Sequence, residues 1–353
     1  MRAITFHDWM KAALYDPDNG YYQRSDRERW GRRGDYRTSP QRSALFAATF
    51  GRYFARLYDE LGRPREWTIV ECGAGAGDFA AGVLDTLARQ FPAIFDVTRY
   101  VVYDVSHDAL RRARERLVDF DGRVRCVSQW NEIQVDNGIF FSNELLDAFP
   151  VHRVVQTGKG LAELYVSVDA NGSLFWTEGP LSTQRLTEFC QTYSVELAVG
   201  QTIEINLEID DWFACVASRL ANGFVITVDY GAESSELYDA TLRPDGTLRG
   251  FRKHEFVDDV LAQPGECDIT ASVNWTQVKR AGERLGLSVV DFASQDKFLM
   301  AAGLLAELEY QLSLTESEAE RASLTTGARE MILPGGMASS FQVLVQRRVK
   351  EED

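Results

Sequence analysis

Residues 69–79 read IVECGAGAGDF, with an acid, Glu71, ahead of glycines at 73, 75 and 77 and a second acid, Asp78, behind them. Closely spaced glycines let a backbone turn sharply and come near a bound small molecule. One chemistry that uses such a turn is dinucleotide binding, where G-x-G-x-x-G presents a helix N-terminus to a pyrophosphate. In the frame that starts at Gly73 the third glycine would be Asp78, whose carboxylate repels phosphate. A second stretch, SNELLDAFP at 142–150, supplies Asn143, Glu144 and Asp147. Glu144 and Asp147 are three apart, which on a helical turn would set both carboxylates on one side. The plainer and less favoured reading, which does not exclude the first, is that Asn143 and Asp147 cap a short helix.

The elements that must carry these residues alternate. Phe46, Phe50, Phe54, Leu57 and Leu61 repeat at helical spacing within 43–61, and Ser39-Pro40 reads as a cap and first turn. A strand is expected at about 66–71, then a helix whose Phe79, Val83, Leu87 and Phe91 form one stripe. YVVYDV at 100–105 is a second strand and HDALRRARERL a second helix; short strands follow at RVRCV and GIFFSN. Continuous apolar strands between helices describe a parallel sheet covered on both faces. Ligands bind beyond the carboxyl ends of such strands, so the turn, Asp104 and Asn143–Asp147 belong to one rim. From 151 to 206 the alternation breaks into strand pieces with Gly-Lys-Gly and Asn-Gly turns, the signature of an antiparallel insertion. It resumes with a helix at IDDWFACVASRL, the strand GFVITVDYG, helices near 274–284 and 296–313, and strands LSVVDF and SFQVLVQRR. The expected divisions are 1–62, 63–150, 151–206 and 207–350.

With acids at two strand ends, the turn suits a ligand that is positively charged and lacks phosphate. S-adenosylmethionine (SAM) carries a sulfonium and an α-ammonium, which acids attract, and an E/D-x-G-x-G-x-G turn is how its methyltransferases hold it. On this reading Glu71 is the leading acid, Gly73, Gly75 and Gly77 let the backbone approach the methionine and ribose, and Asp104 accepts hydrogen bonds from the ribose hydroxyls. A glycine turn that only packs is the plainer alternative.

Composition narrows the field. The formal net charge of −15 disfavours nucleic acid, whose binding runs on clustered Lys and Arg. Five scattered cysteines and four dispersed histidines fit neither a disulfide framework nor a metal site. No stretch approaches the roughly 18 apolar residues of a membrane span, and MRAITFHDWMKAAL lacks the apolar core of a secretion signal. A cytoplasmic location is expected.

The stretches DPDNGYY, GRRGDYRTSP, VECGAGAGDF, SNELLDAFPV, VDYG, GTLRGFRKHEF, GECDITASVNW and SQDKFLMAAG together, in this order, resemble the MidA-like family of class I SAM-dependent methyltransferases. The resemblance spans about residues 4–303. It implies an α/β class I methyltransferase, Rossmann-like, with a seven-stranded mostly parallel sheet, an N-terminal helical extension and an inserted α+β region that covers the substrate. It also implies SAM as cofactor, S-adenosylhomocysteine as product and a protein arginine as methyl acceptor, because the family's mitochondrial members are arginine methyltransferases that assist assembly of respiratory complex I. A respiratory-complex subunit is thereby a candidate partner. The chain departs from the family pattern at Asp104, where Glu is usual, at Ala74, where Pro is common, and at Asp78, where a small hydroxyl is common.

Arginine's guanidinium stays protonated in water and is then a poor nucleophile. An enzyme acting on it must hold the cation, aim one nitrogen and accept a proton; carboxylates match the guanidinium fork. Glu144 and Asp147, with Asn143, are the expected catalytic groups. Tyr36, Thr38 and Ser39 in GDYRTSP would fold over the cofactor as a lid, with Ser39 also a helix cap. Asp229 and Tyr230 in DYG line the acceptor channel or start a turn. His254 is a substrate contact or proton relay with Asp268 as a possible partner, or a structural histidine. A non-catalytic assembly factor with this fold and a small-molecule methyltransferase stay open, and the helix-rich C-terminus could form a homodimer or cover the sheet.

Overall fold

The computed structural model of the 353-residue chain describes residues 3–24, 44–252, 255–333 and 340–350. The chain divides into two compact units: Met1–Tyr36, Leu146–Phe213 and Tyr230–Ala281 make one; Arg37–Leu145, Ala214–Asp229 and Gly282–Asp353 make the other.

The second unit is built on strands β1 (Trp67–Cys72), β2 (Thr98–Tyr103), β3 (Val124–Val127), β4 (Val135–Asn143), β5 (Leu220–Ala232), β6 (Ser288–Ser294) and β7 (Phe341–Arg348), in spatial order 3-2-1-4-5-7-6. β1 pairs in parallel with β2 and β4, β2 with β3, and β4 with β5. β6 pairs antiparallel with β7, so the sheet is the expected mostly parallel one. The order reverses at β1 and β4, which places a topological switch point at the ends of those two strands.

Helices α1 (Ala44–Glu60), α2 (Asp78–Gln90) and α3 (His107–Arg116) flank the first strands. The apolar stripe of α1 delivers Phe46, Phe50 and Phe54 to Phe79 of α2 and Phe141 of β4, all buried. The Phe79 and Phe141 rings stack at 4.2 Å, 3° apart, and Phe50 meets Phe141 edge-on at 5.1 Å. Helices α1 and α2 approach so closely that a Cβ on Gly82 would stand 2.6 Å from the Ala47 Cβ. The helix expected near 296–313 is two, Gln295–Ala302 and Leu304–Leu314, because Gly303 adopts φ +104° and ends the first. Glycine takes that conformation without the clash a Cβ brings.

In the first unit the pieces between 152 and 205 do form an antiparallel sheet: Gly160–Val168 pairs with His152–Thr157 and Leu174–Gly179, and His152–Thr157 with Thr202–Ile205. Strand Ile4–Thr5 joins its edge against Val166 and Tyr165. Thr5 also caps the helix Phe6–Tyr15 by accepting from the Asp8 amide at 3.1 Å. Phe6, Trp9, Met10 and Tyr21 then share a core with Val166 and Ile269. A further small sheet, Glu255–Val257, Arg249–Arg252 and Asp268–Thr270, was not signalled by periodicity.

A polar cluster, buried at His152 and Glu163 and open to solvent at Asp8, ties strands and helix of this unit together. The His7 and His152 rings stack at 4.5 Å; His7 bonds Glu208 and Asp8, and His152 Nδ1 lies 2.7 Å from Glu163. Burial opposes the charge on Glu163, but the His152 and Ser182 hydrogen bonds outweigh it and hold the carboxyl below its usual range.

Two outcomes follow. Phe50→Ala empties the centre of the aromatic cluster and is expected to lower stability by about 3–5 kcal/mol in urea unfolding. A depressed carboxyl contributes stability that is present above its unfolded pKa and lost as pH falls through the folded one. Glu163→Gln is therefore expected to destabilise by about 1–3 kcal/mol at neutral pH, with the gap to wild type closing as unfolding is measured towards pH 3.

Candidate functional site

The glycine turn leaves β1 and enters α2. Gly73, Gly75 and Gly77 all lie in the left-handed region, at φ +70°, +55° and +81°. Residues with a Cβ resist that conformation, so the alternating glycines are a backbone requirement. The turn is pinned to the end of β2. The Gly73 amide donates to the Tyr103 carbonyl at 2.9 Å. The Gly75 amide donates to Asp104 Oδ2 at 3.0 Å, and Ser106 to Oδ1 at 2.8 Å. Asp104 thus braces the turn through Oδ2, while Oδ1 holds the start of the segment that leads into α3. Gly77 faces Ala113 and Leu117, where a Cβ would approach to 3.2 Å, so α2 sits tight on α3. Asp78 opens α2 and pairs with Arg116 at 3.3 Å.

Glu71, the leading acid of the turn, is buried. It is 5 % exposed. Burial, with lesser contributions from the charges of Asp104 and Asp78, lifts its carboxyl to about 8 against the opposing pull of a Tyr100 hydrogen bond. The Tyr100 hydroxyl donates to Glu71 Oε2 at 2.8 Å and is itself fully buried. Tyr100 was missed in the sequence. Only the parallel register reveals it, by setting Ile69 beside Tyr100 and Glu71 beside Val102 and so bringing Tyr100 beneath Glu71 on the same face.

At the end of β4, Asn143 Nδ2 donates to Glu144 Oε1 at 3.0 Å, while the buried Asn143 Oδ1 has no hydrogen-bond partner among the described residues. Glu144 stands at φ +53°, an uncommon conformation for a residue with a side chain, held by its amide bonding the Val228 carbonyl at 2.9 Å. Such strain concentrates at working sites. Leu145 packs on the glycine turn: a Cβ on Gly73 would stand 2.8 Å from Leu145 Cδ1. The helical turn expected to align Glu144 with Asp147 is not formed, since Glu144 is left-handed and only Leu146–Ala148 is helical, as a 3-10 turn. Asp147 is 4 % exposed and its carbonyl accepts from the Ala271 amide at 2.9 Å.

Asp229 is fully buried in β5. In the first unit, the Arg249 guanidinium lies 6.0 Å from the Tyr230 ring centre, and the Tyr22 hydroxyl donates to Asp268 at 2.5 Å. Tyr36, Thr38, Ser39 and His254 lie outside the described residues. Among the described residues no cluster of three or more His, Cys, Asp or Glu side chains is placed to hold a metal, and no helix is long and apolar enough to cross a membrane.

The rim of β1, β2 and β4 therefore offers bare backbone, carboxyls and an orphaned amide oxygen. That acceptor-rich set fits an ammonium and sulfonium better than a phosphate.

Comparison with known proteins agrees. Over 96 % of its length the chain is 26 % identical to mouse protein arginine methyltransferase NDUFAF7, mitochondrial, covering 79 % of that protein. It is 25 % identical to the human protein of that name, covering 78 % of it. The crystal structure of a Burkholderia thailandensis protein bound to S-adenosyl-homocysteine superposes with a TM-score of 0.87 at 29 % identity, over 99 % of this chain and 89 % of that one. The cytoplasmic expectation is overturned by relatives named as mitochondrial. It rested on a missing apolar secretion core and unpaired cysteines, and mitochondrial import reads neither: its signals are amphipathic and Arg-rich. A family described as "Putative S-adenosyl-L-methionine-dependent methyltransferase" matches residues 49–293, and the chain belongs to that family of SAM-dependent methyltransferases.

Proposed function

We propose that this methyltransferase modifies an arginine side chain of a partner protein, with the glycine turn as the berth for SAM and the Asn143–Glu144 pair as the group that handles the acceptor. The observation that carries the reading is the conformation of Glu144: a carboxylate held at φ +53° on the strand end beside the turn, with Asn143 steadying one of its oxygens. Relatives named protein arginine methyltransferase support the acceptor class. A respiratory-complex subunit is the partner the family resemblance puts forward.

When bound, SAM supplies an electrophilic methyl group on its sulfonium. The work of the chain is to prepare the other reactant. Glu144 accepts hydrogen bonds from the guanidinium fork, which fixes the plane of the acceptor and places one nitrogen for in-line approach. As that nitrogen gains a methyl group it must lose a proton, and the Glu144 carboxylate is the base at hand. Asn143 has two duties: its Nδ2 orients Glu144, and its unpartnered Oδ1 can accept from the ammonium of the methyl donor. Asp104 keeps the turn in shape and is the acid at the β2 end that would accept from a ribose hydroxyl.

Gly73→Val forces a branched side chain into a left-handed position and against Leu145. Calorimetry is expected to show SAM affinity falling by about 100-fold or more, and unchanged affinity would reject the turn as the berth. Glu144→Gln is expected to bind SAM within a few-fold of wild type and to lose about 10²–10⁴-fold in methyl transfer. Tracing a labelled methyl group by peptide mass spectrometry checks both halves of the reading: label on lysine or on a small molecule in place of arginine would remove the proposed acceptor, and retained turnover would remove Glu144.

A further inference from the structure

Glu71 sits directly ahead of the glycine turn with an uncommon set of neighbours. On the adjacent strand Tyr100 gives it one neutral hydrogen bond. The charged or titratable groups that face it are Asp104 beyond β2, Asp78 at the start of α2, Cys72 on its own strand and Tyr100. On the other side, its register partner in β4 is the apolar Phe141. Among the described residues no Lys, Arg or His pairs with Glu71. The one cation close by among the described residues, Arg116, is paired with Asp78 rather than with Glu71, and the carboxyl is 5 % exposed.

We propose that methyl-donor binding to this protein is proton-linked through Glu71, with Tyr100 as its positioning residue: Glu71 holds its proton in the unloaded protein and releases it to solvent when the cationic donor docks at the turn. The step balances simply. The carboxyl O–H bond breaks, the proton goes to buffer, and the carboxylate left behind is offset by the positive charge that has arrived. Tyr100 keeps donating its hydroxyl to Oε2 throughout, and so holds the carboxyl in one orientation in both states. The inference rests on the turn being the donor's berth.

The electrostatics have a definite sign. With the carboxyl raised to about 8 by burial, a cation arriving beside it favours the charged form and pulls its pKa down. Linkage then makes apparent donor affinity rise with pH, approaching tenfold per unit below pH 8 and levelling off above it. Removing the Tyr100 hydroxyl withdraws a bond that favours the carboxylate, so the levelling point moves to higher pH.

Isothermal calorimetry with SAM at pH 7, in phosphate and in Tris, counts the protons exchanged. Comparison with Glu71→Gln subtracts any titration of the donor's own amine. Wild type is expected to release the larger part of one proton more than Glu71→Gln, since the group is mostly protonated at pH 7 when unloaded and ionised when loaded. Tyr100→Phe is expected to shift the pH–affinity profile upward. Equal proton counts in wild type and Glu71→Gln, both binding SAM, overturn the proposal. Infrared difference spectra of the native protein give a second measurement that needs no variant to fold: a protonated-carboxyl band must vanish on SAM addition, and its persistence overturns the proposal too. Full SAM affinity in Gly73→Val would instead sink the berth itself.

Discussion

The rest of the site depends on the pinning of one glycine turn to the end of the neighbouring strand. Three amides, those of Gly73, Gly75 and Ser106, are anchored on the Tyr103 carbonyl and the Asp104 carboxylate. A loop of left-handed glycines has large conformational entropy to lose, and without such anchors it would sample many shapes. Anchored, it presents a fixed concavity, and Leu145 can pack against Gly73 to bring the end of β4 to the same rim. The strained Glu144 is tolerable only because its amide and its side chain are both held. Positioning of this kind accounts for a large part of what an enzyme contributes to a bimolecular step.

Much of this was legible in the chain and some was not, for reasons that can be named. The stripe of Phe46, Phe50 and Phe54 is a local periodicity, and α1 appears where it predicts. The three glycines and their flanking acids are likewise local, and the turn between β1 and α2 is where the spacing put it. Gly303 lay in view inside an apolar run, yet only its φ decides between a tolerated helical glycine and a break. The small sheet at 249–270 has strands of three or four residues, too short for alternation to register. Glu144 could not be anticipated as left-handed, since nothing but a tertiary restraint selects that conformation for glutamate. Nor could the upward shift of the Glu71 carboxyl, which comes chiefly from burial, with Asp104 and Asp78 adding to it and the Tyr100 hydrogen bond opposing it, in surroundings that only the parallel register assembles.

The acidity of the chain takes on a different meaning at the rim. A net charge of −15 spread over the surface is mainly a matter of solubility and of repelling polyanions. The acids that matter are few and differ in state. Asp104 accepts from two backbone amides, Glu144 is steadied by an amide, Asp78 is partnered by an arginine, and Glu71 is buried. Carboxyl groups of nearly the same intrinsic strength are thereby given separate tasks by their surroundings, as is common where proton and charge movements must be kept apart.

The wall that shields Glu71 is hydrocarbon. Phe141, its neighbour across the strand, lies in a stack with Phe79 and within reach of Phe50 and Phe54. On the proposed proton linkage, the tightness of that stack sets how much solvent reaches the carboxyl and hence the acidity at which the donor loads. Chemically inert drift in an aromatic core is then a dial on working pH, and lineages living at different acidities could retune this enzyme without altering a single group that contacts either reactant.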